Sequence, residues 1–219
     1  IAQNNVDGSL TLTAADITLN AGVVKADGSL VFNATNIANN AIISAGDFSA
    51  TSFNQFYNNN GSTTEAGSIN FQGNSFLNDG TFIATNADNS LILNVSDAVN
   101  TKLLVSNSTN QSFMGSFTNS GEFRHAGRGV LTLGNAGSVN LQGGSVSTAG
   151  TANLSGTLTG SGNLFAETAI NINSSGTFNN LGSTLYTKGA LTINSAVNNQ
   201  AGKLLADCNL LIQTTGSVN

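Results

Sequence analysis

The sequence is marked first by what its 219 residues lack. It has no proline, no tryptophan, one cysteine and one methionine, and only 8% of its residues are charged. A lone cysteine, Cys208, excludes an intramolecular disulfide framework and a cysteine-based metal site. The net charge of −5 provides no basic surface for nucleic acid or for an anionic membrane. Because no apolar run reaches about 18 residues, we also expect no membrane-spanning helix.

Glycine, asparagine, serine and threonine fill the place of the missing charge. Leu, Ile, Val and Phe still recur along the whole chain, which argues against disorder. The chain does not begin with a basic and apolar leader, so we expect a mature chain or a fragment of a longer one.

An internal repeat of about 20 residues is the strongest signal in the sequence. FNNLGSTLYTKGALTI (178–193) aligns without a gap on VNNQAGKLLADCNLLI (197–212), 19 residues later. Traced back through the chain, the turn position of this repeat falls on Asn20, Asn40, Asn60, Asn78, Asn100, Asn119, Asn140, Gly160, Asn180, Asn199 and Asn219. A period near 20 residues is typical of a solenoid.

Within each repeat the local period is two, as in Leu10-Thr11-Leu12 and Leu191-Thr192-Ile193, which predicts short strands. Strands this short bury their apolar face only by stacking coil on coil. We therefore predict an all-β fold, a parallel β-helix over residues 1–219, with roughly 10 to 11 coils and a length of about 50 Å. The turn Asn residues are expected to tolerate positive φ and to hydrogen-bond from coil to coil.

Two segments, 48–66 and 95–118, depart from the repeat. The first contains Phe48, Phe53, Phe56 and Tyr57, where smaller aliphatic residues are usual. These segments are interpreted either as aromatic core filling with a loop at one corner or as a recognition patch, because irregular loops on rigid scaffolds often bind ligands.

The segment EFRHAGRG (122–129) contains both arginines and the single histidine. By register Phe123 and His125 face inward and Arg124 faces outward. No second titratable partner is visible for His125, and general acid–base catalysis needs one. We therefore expect no catalytic residue, no metal and no cofactor. The candidate ligand-binding residues, which would form a surface patch, are Phe56, Tyr57, Arg124 and Arg128.

The repeat NNxxGxLxAxGxLxL resembles the haemagglutinin repeats of filamentous haemagglutinin and related bacterial two-partner secretion exoproteins, among them contact-dependent growth inhibition toxins. The similarity covers 170–219 and 67–93 best. It implies a right-handed β-helix that forms part of a long, secreted, cell-surface filament. It also implies an outer-membrane transporter as partner during secretion and no enzymatic activity in the repeats. The lack of proline does not fit the Asn-Pro motifs of that family's N-terminal secretion domain, so we expect the repeat shaft.

The resulting hypothesis is a structural and adhesive shaft that presents a receptor-binding or toxin region to target cells, with a receptor or glycan as a further partner. Two alternatives stay open. The first is a carbohydrate-active β-helix enzyme, which would need clustered acids on one face. The second is a glycan- or ice-binding solenoid; ice binding would need regular Thr-x-Thr ladders, whereas Thr11-Leu12-Thr13 and Thr157-Leu158-Thr159 do not recur from coil to coil. We also expect exposed sheet edges at the two ends, and hence end-to-end self-association of the fragment.

Overall fold

The computed structural model describes residues 1–113, 115–134, 137–155, 157–174, 176–214 and 216–219. Every regular element in these residues is a β-strand. In chain order the strands are β1 Ala2–Gln3, β2 Ser9–Thr13, β3 Asp16–Leu19, β4 Val23–Asn39, β5 Ile42–Asn58, β6 Thr63–Asn78, β7 Thr81–Ala84, β8 Leu91–Asn94, β9 Asp97–Asn100, β10 Leu103–Ser106, β11 Gln111–Ser112, β12 Ser116–Asn119, β13 Glu122–His125, β14 Val130–Leu133, β15 Val139–Asn140, β16 Ser145–Thr148, β17 Thr151–Leu154, β18 Leu158–Thr159, β19 Asn163–Ala166, β20 Ala169–Ile172, β21 Thr177–Asn179, β22 Thr184–Thr187, β23 Ala190–Ile193, β24 Ala196–Asn198, β25 Lys203–Ala206 and β26 Leu210–Ile212.

The chain winds into a parallel β-solenoid of about 10 turns, as the repeat predicts. Each strand pairs in parallel with the strand one coil away, so residues about 20 apart in sequence are neighbours. In most of the short strands alternate side chains are buried, as in β16 and β20. This alternation is the period-two pattern of the sequence, with the apolar residue inside and the polar residue outside.

Three faces enclose the interior. The third face consists of β3, the ends of β4, β5 and β6, and then β9, β12, β15, β18, β21 and β24. The first face is continuous from one end of the chain to the other. Its ladder runs through β1, the starts of β4, β5 and β6, and then β7, β10, β13, β16, β19, β22 and β25. The predicted alignment of Leu185 with Leu204 is confirmed on this face. Leu191 lies opposite Leu210 on the second face, again as predicted.

The second face is divided in the middle. The strand β8 pairs with β6, whereas β11 begins a separate six-stranded ladder that continues to β26. No pairing joins β8 to β11 among the described residues. The split falls in the irregular segment 95–118, of which Met114 lies outside the described residues. In the same segment, β9, β10 and β12 keep their register with the adjacent coils.

The interior contains two clusters of aromatic rings. In the first cluster, Phe56 contacts Phe48, Phe71, Phe76 and Phe82, with ring centroids 5.4–6.0 Å apart. The second cluster joins Phe113, Phe117 and Phe123, of which the first two are stacked at 4.6 Å. Each buried ring contributes roughly 1.5–3 kcal/mol through the apolar area that it removes from water. The two clusters anchor the coils on either side of the split.

A buried ladder of asparagines connects the third face to the first. The amide nitrogen of each Asn donates to the side-chain oxygen of the Asn in the next coil, at 2.7–2.9 Å, from Asn39 through Asn58, Asn78 and Asn100 to Asn119. At the other end, Asn180 donates to Asn199 at 2.7 Å. The predicted coil-to-coil hydrogen bonding is therefore confirmed.

Two details of the predicted asparagine column are wrong. The column contains Asn39 and Asn58 rather than Asn40 and Asn60, because the coil length along the ladder varies from 19 to 22 residues. In one coil Leu141 occupies the position beside Asn119, since Thr118 pairs with Asn140. The ladder asparagines also do not have positive φ. Positive φ belongs to corner glycines such as Gly61 (82°), so the asparagines are placed by hydrogen bonding.

Candidate functional site

The four residues of the predicted surface patch do not form one patch. Phe56 is only 1% exposed and packs in the aromatic core. The prediction that it belongs to a surface patch is therefore wrong. Tyr57 lies on the outside of the third face and is followed along that face by Leu77 and Val99. Arg124 lies on the first face, and Arg128 is exposed at the corner after β13. Of these residues, Arg124 lines a cavity.

His125 is held in a buried polar network directly behind Arg124. Its side chain is 1% exposed, its Nε2 lies 2.8 Å from the carbonyl of Ser108, and its Nδ1 lies 2.7 Å from Oγ1 of Thr148. Because a carbonyl only accepts, Nε2 carries the proton and Nδ1 accepts from Thr148. Gly127 closes the site, since a Cβ there would lie 1.7 Å from the oxygen of Ser108.

The electrostatics of His125 suit a structural role. Burial lowers the pKa of its imidazole, although hydrogen bonds with the backbone of Ser108 and Thr109 raise it in part. The neutral ring has both nitrogens satisfied and faces Ser106 in the preceding coil and Thr148 in the following one. As expected from the sequence, the neighbouring positions offer no acid or base to share a proton with it.

A slot opens on the first face where a small residue lies between two large ones. Arg124, Ser147 and Phe165 are consecutive members of one outward column. The short side chain of Ser147 leaves a cavity of about 240 Å³ between the arginine and the phenyl ring. Ala149 and Glu167 also line it. We call this cavity the Ser147 slot.

The aromatic side of the slot continues into the next coil. Phe165 pairs in register with Tyr186, and their ring centroids are 5.4 Å apart. The ammonium of Lys188 lies 5.7 Å from the centroid of the Phe165 ring, which is within cation–π range. The Tyr186 hydroxyl donates to a carboxylate oxygen of Asp207 at 2.8 Å, and this hydrogen bond raises the pKa of Tyr186.

The charges around the slot are paired. Nε of Arg124 donates to Glu122 at 2.5 Å, and Nζ of Lys188 donates to Glu167 at 2.7 Å. These hydrogen bonds raise the pKa of Arg124 and of Lys188, so both stay protonated at neutral pH. All four side chains are about half exposed. Two ion pairs thus flank the slot, and their charges sum to zero.

Other depressions lie elsewhere on the solenoid. A hollow of about 350 Å³ marks the split of the second face and is lined by Leu91, Ile92 and Gln111. A hollow of about 470 Å³ at the corner of the third and first faces is lined by Asp79, Lys102 and Glu122, without an aromatic ring. The Ser147 slot differs from these two hollows because it combines an aromatic wall with charged side chains.

The remaining observations concern possible metal ligands, the single cysteine and membrane-spanning helices. They contain no group of three or more His, Cys, Asp or Glu side chains that could hold a metal ion. Cys208 is exposed, as predicted, and contacts the carbonyl of Lys188 at 3.5 Å. No helix in the described part of the chain is long and apolar enough to cross a membrane.

The slot residues Ser147, Phe165 and Glu167 were missed in the sequence analysis, although part of the signal was present. The strand NLFA places Leu164 inside and Phe165 outside by simple alternation. The distance in sequence between Arg124 and Phe165 concealed their proximity, because it spans two coils of unequal length.

Comparison with protein-family models, with curated proteins and with solved structures gave no match. The similarity to filamentous haemagglutinin repeats therefore stays a prediction from the repeat residues.

Proposed function

We propose that this chain is a structural and adhesive shaft segment of a large secreted bacterial surface exoprotein, which presents a receptor-binding or toxin region to target cells. The observation that carries the proposal is the uninterrupted parallel ladder of the first face, from β1 to β25. Such a ladder links every coil to the next by backbone hydrogen bonds, so the segment acts as a spacer. The similarity of the repeats supports secretion through an outer-membrane transporter.

The low charge and the absence of proline fit this role. On the first face, the strands between the two ends pair with a neighbouring strand on each side. Proline would remove a backbone N–H donor from such a strand. Successive coils use the same local contacts, so folding can proceed coil by coil as a chain emerges from a transporter.

A carbohydrate-active enzyme is less well supported. Glycosidases place two carboxyl groups roughly 5 to 9.5 Å apart. The backbone positions of the two glutamates beside the Ser147 slot, Glu122 and Glu167, are separated by four residues along the strand direction, or about 13 Å, and by two coils. Each is also held in an ion pair with a cation.

Ice binding is also less well supported, because the outward columns vary. On the second face, Thr132 is followed by Asn153, Asn171 and Thr192. A regular array of threonine side chains is therefore missing from this part of the described surface.

Antibody labelling of the producing cells tests the proposal. An antibody raised against the folded chain is expected to label intact, unpermeabilised cells, and external protease is expected to remove the label. The same antibody should reduce attachment to target cells, with an antibody against an abundant surface protein as control. Labelling only after lysis of the cells would contradict the proposed location and function.

A further inference from the structure

We propose that the Ser147 slot binds one ring of a neutral saccharide, held between the guanidinium of Arg124 and the ring of Phe165. The inference deepens the proposed function and rests on it for its biological role, since it names the ligand that the adhesive face contacts. The binding itself depends only on the geometry of the slot.

The dimensions of the slot favour a single puckered ring. Arg124 and Phe165 are two strand spacings apart, or about 9.6 Å. A ring in van der Waals contact with both walls needs about 7 to 8 Å. The remaining space of about 2 Å suits the chair of a pyranose better than a flat ring. The cavity of about 240 Å³ is also below the usual range of roughly 300 to 1,000 Å³ for small-molecule pockets.

The lining of the slot matches the two kinds of surface on a sugar. The apolar C–H face of a pyranose can pack on Phe165, and Tyr186 extends that apolar surface into the next coil. Glu167 offers carboxylate oxygens to hydroxyl donors, while Arg124 and Ser147 offer donors to ring and hydroxyl oxygens. Both charged side chains are held in place by their ion-pair partners, which reduces the ordering cost of binding.

The charge balance selects a neutral ligand. The two positive and two negative groups around the slot cancel, and Asp207 lies beyond Tyr186. A polyanion such as a sulfated glycan would meet Glu122, Glu167 and Asp207 in the same approach.

Binding of cellotriose, maltotriose and N-acetyllactosamine to the full chain, measured by saturation-transfer NMR and calorimetry, tests the proposal, with heparin as the charged comparison. We expect at least one neutral probe to bind and heparin not to bind at physiological salt. Phe165→Ala is expected to weaken the binding at least tenfold, and Ser147→Leu, which fills the slot, to abolish it. Ile92→Ala, on the exposed second face, serves as the matched control and should bind as the wild type does.

Thermal unfolding of each variant shows whether the solenoid persists. The proposal is overturned if none of the three saccharides binds to the folded chain, if heparin alone binds, or if Ser147→Leu binds as tightly as the wild type. If any of these results is found while antibody still labels intact producing cells, the saccharide site is refuted and the proposed shaft function is not.

Discussion

At the residue scale, the buried polar side chains determine where this solenoid is most easily destabilised by substitution or by a change of pH. Its interior is mostly apolar, yet it encloses the asparagine ladder and the network around His125. A buried polar group is stable only while its partners stay in place, because leaving one unsatisfied costs about 1–3 kcal/mol. These side chains therefore define the register of the coils more strictly than the apolar residues around them.

His125 makes the stability of the fold dependent on pH. Burial lowers its pKa in the folded chain, so the unfolded chain binds more protons as the pH falls below about 6.5. The free energy of unfolding should therefore decrease from pH 7.5 to 5.5, by at most about 1.4 kcal/mol per pH unit from this group. Urea unfolding at both pH values measures the effect. In His125→Thr, which places in this column the residue already found at Thr148, the decrease should be smaller, and equal decreases in the two proteins would refute the assignment.

Asn78 is the central member of the longer asparagine ladder. It accepts from Asn58, and it donates to Asn100 and to the carbonyl of Leu103. Replacing Asn78 by alanine should lower the free energy of unfolding by roughly 2–4 kcal/mol, since several buried groups lose a partner at once. The exposed Asn54, which donates to Asn36 at 2.7 Å, provides the control. An Asn54→Ala loss as large as that of Asn78→Ala would mean that burial of the ladder is not what matters.

At the scale of a single coil, packing is set by which of two nearby aromatic residues turns inward. The strand β5 contains both Phe53, which is 75% exposed, and Phe56, which is 1% exposed. A register shift between Ser52 and Gln55 separates them. The composition of the segment 48–66 shows that aromatic residues are present, whereas only the position of this shift decides which ring enters the core.

These two phenylalanines form a matched pair for mutation. Phe56→Ala should reduce the free energy of unfolding by about 3–5 kcal/mol, because it leaves a cavity among the surrounding rings. Phe53→Ala should change it by no more than about 0.5 kcal/mol. Chemical denaturation of both variants in parallel gives the comparison, and similar losses would contradict the placement of the two rings.

Sequence reasoning succeeded where a feature repeats and failed where coils differ. The parallel stacking, the inward position of His125 and the pairing of Leu185 with Leu204 all follow from the period. The Ser147 slot did not, because it depends on a small residue lying between two large ones in neighbouring coils. The asparagine column was misplaced by one or two residues for a related reason, since the corners absorb insertions that no local pattern reveals.

At the scale of the whole molecule, the fold has one continuous face and two divided faces; on the third face, β21 and β24 form a separate two-stranded sheet. The first face links all coils, whereas the second is split between β8 and β11. The coils at the two ends expose apolar side chains, among them Ile1, Leu210 and Leu211. In a solenoid, each coil is stabilised by its neighbours, so the register between adjacent coils is the property on which the shaft and the saccharide slot both depend.

Disulfide trapping of that register tests the central claim most directly. In a Cys208→Ser background, Asn171→Cys with Thr192→Cys places two thiols on directly paired positions of β20 and β23, about 4.8 Å apart at Cα. Asn171→Cys with Ala190→Cys shifts one partner by two residues along the same strand, to about 8 Å, beyond the usual limit of roughly 7 Å for a disulfide. The first pair is expected to oxidise rapidly in the folded chain and the second is not. Cross-linking of the shifted pair, or of neither pair, would contradict the stacking of coils in register.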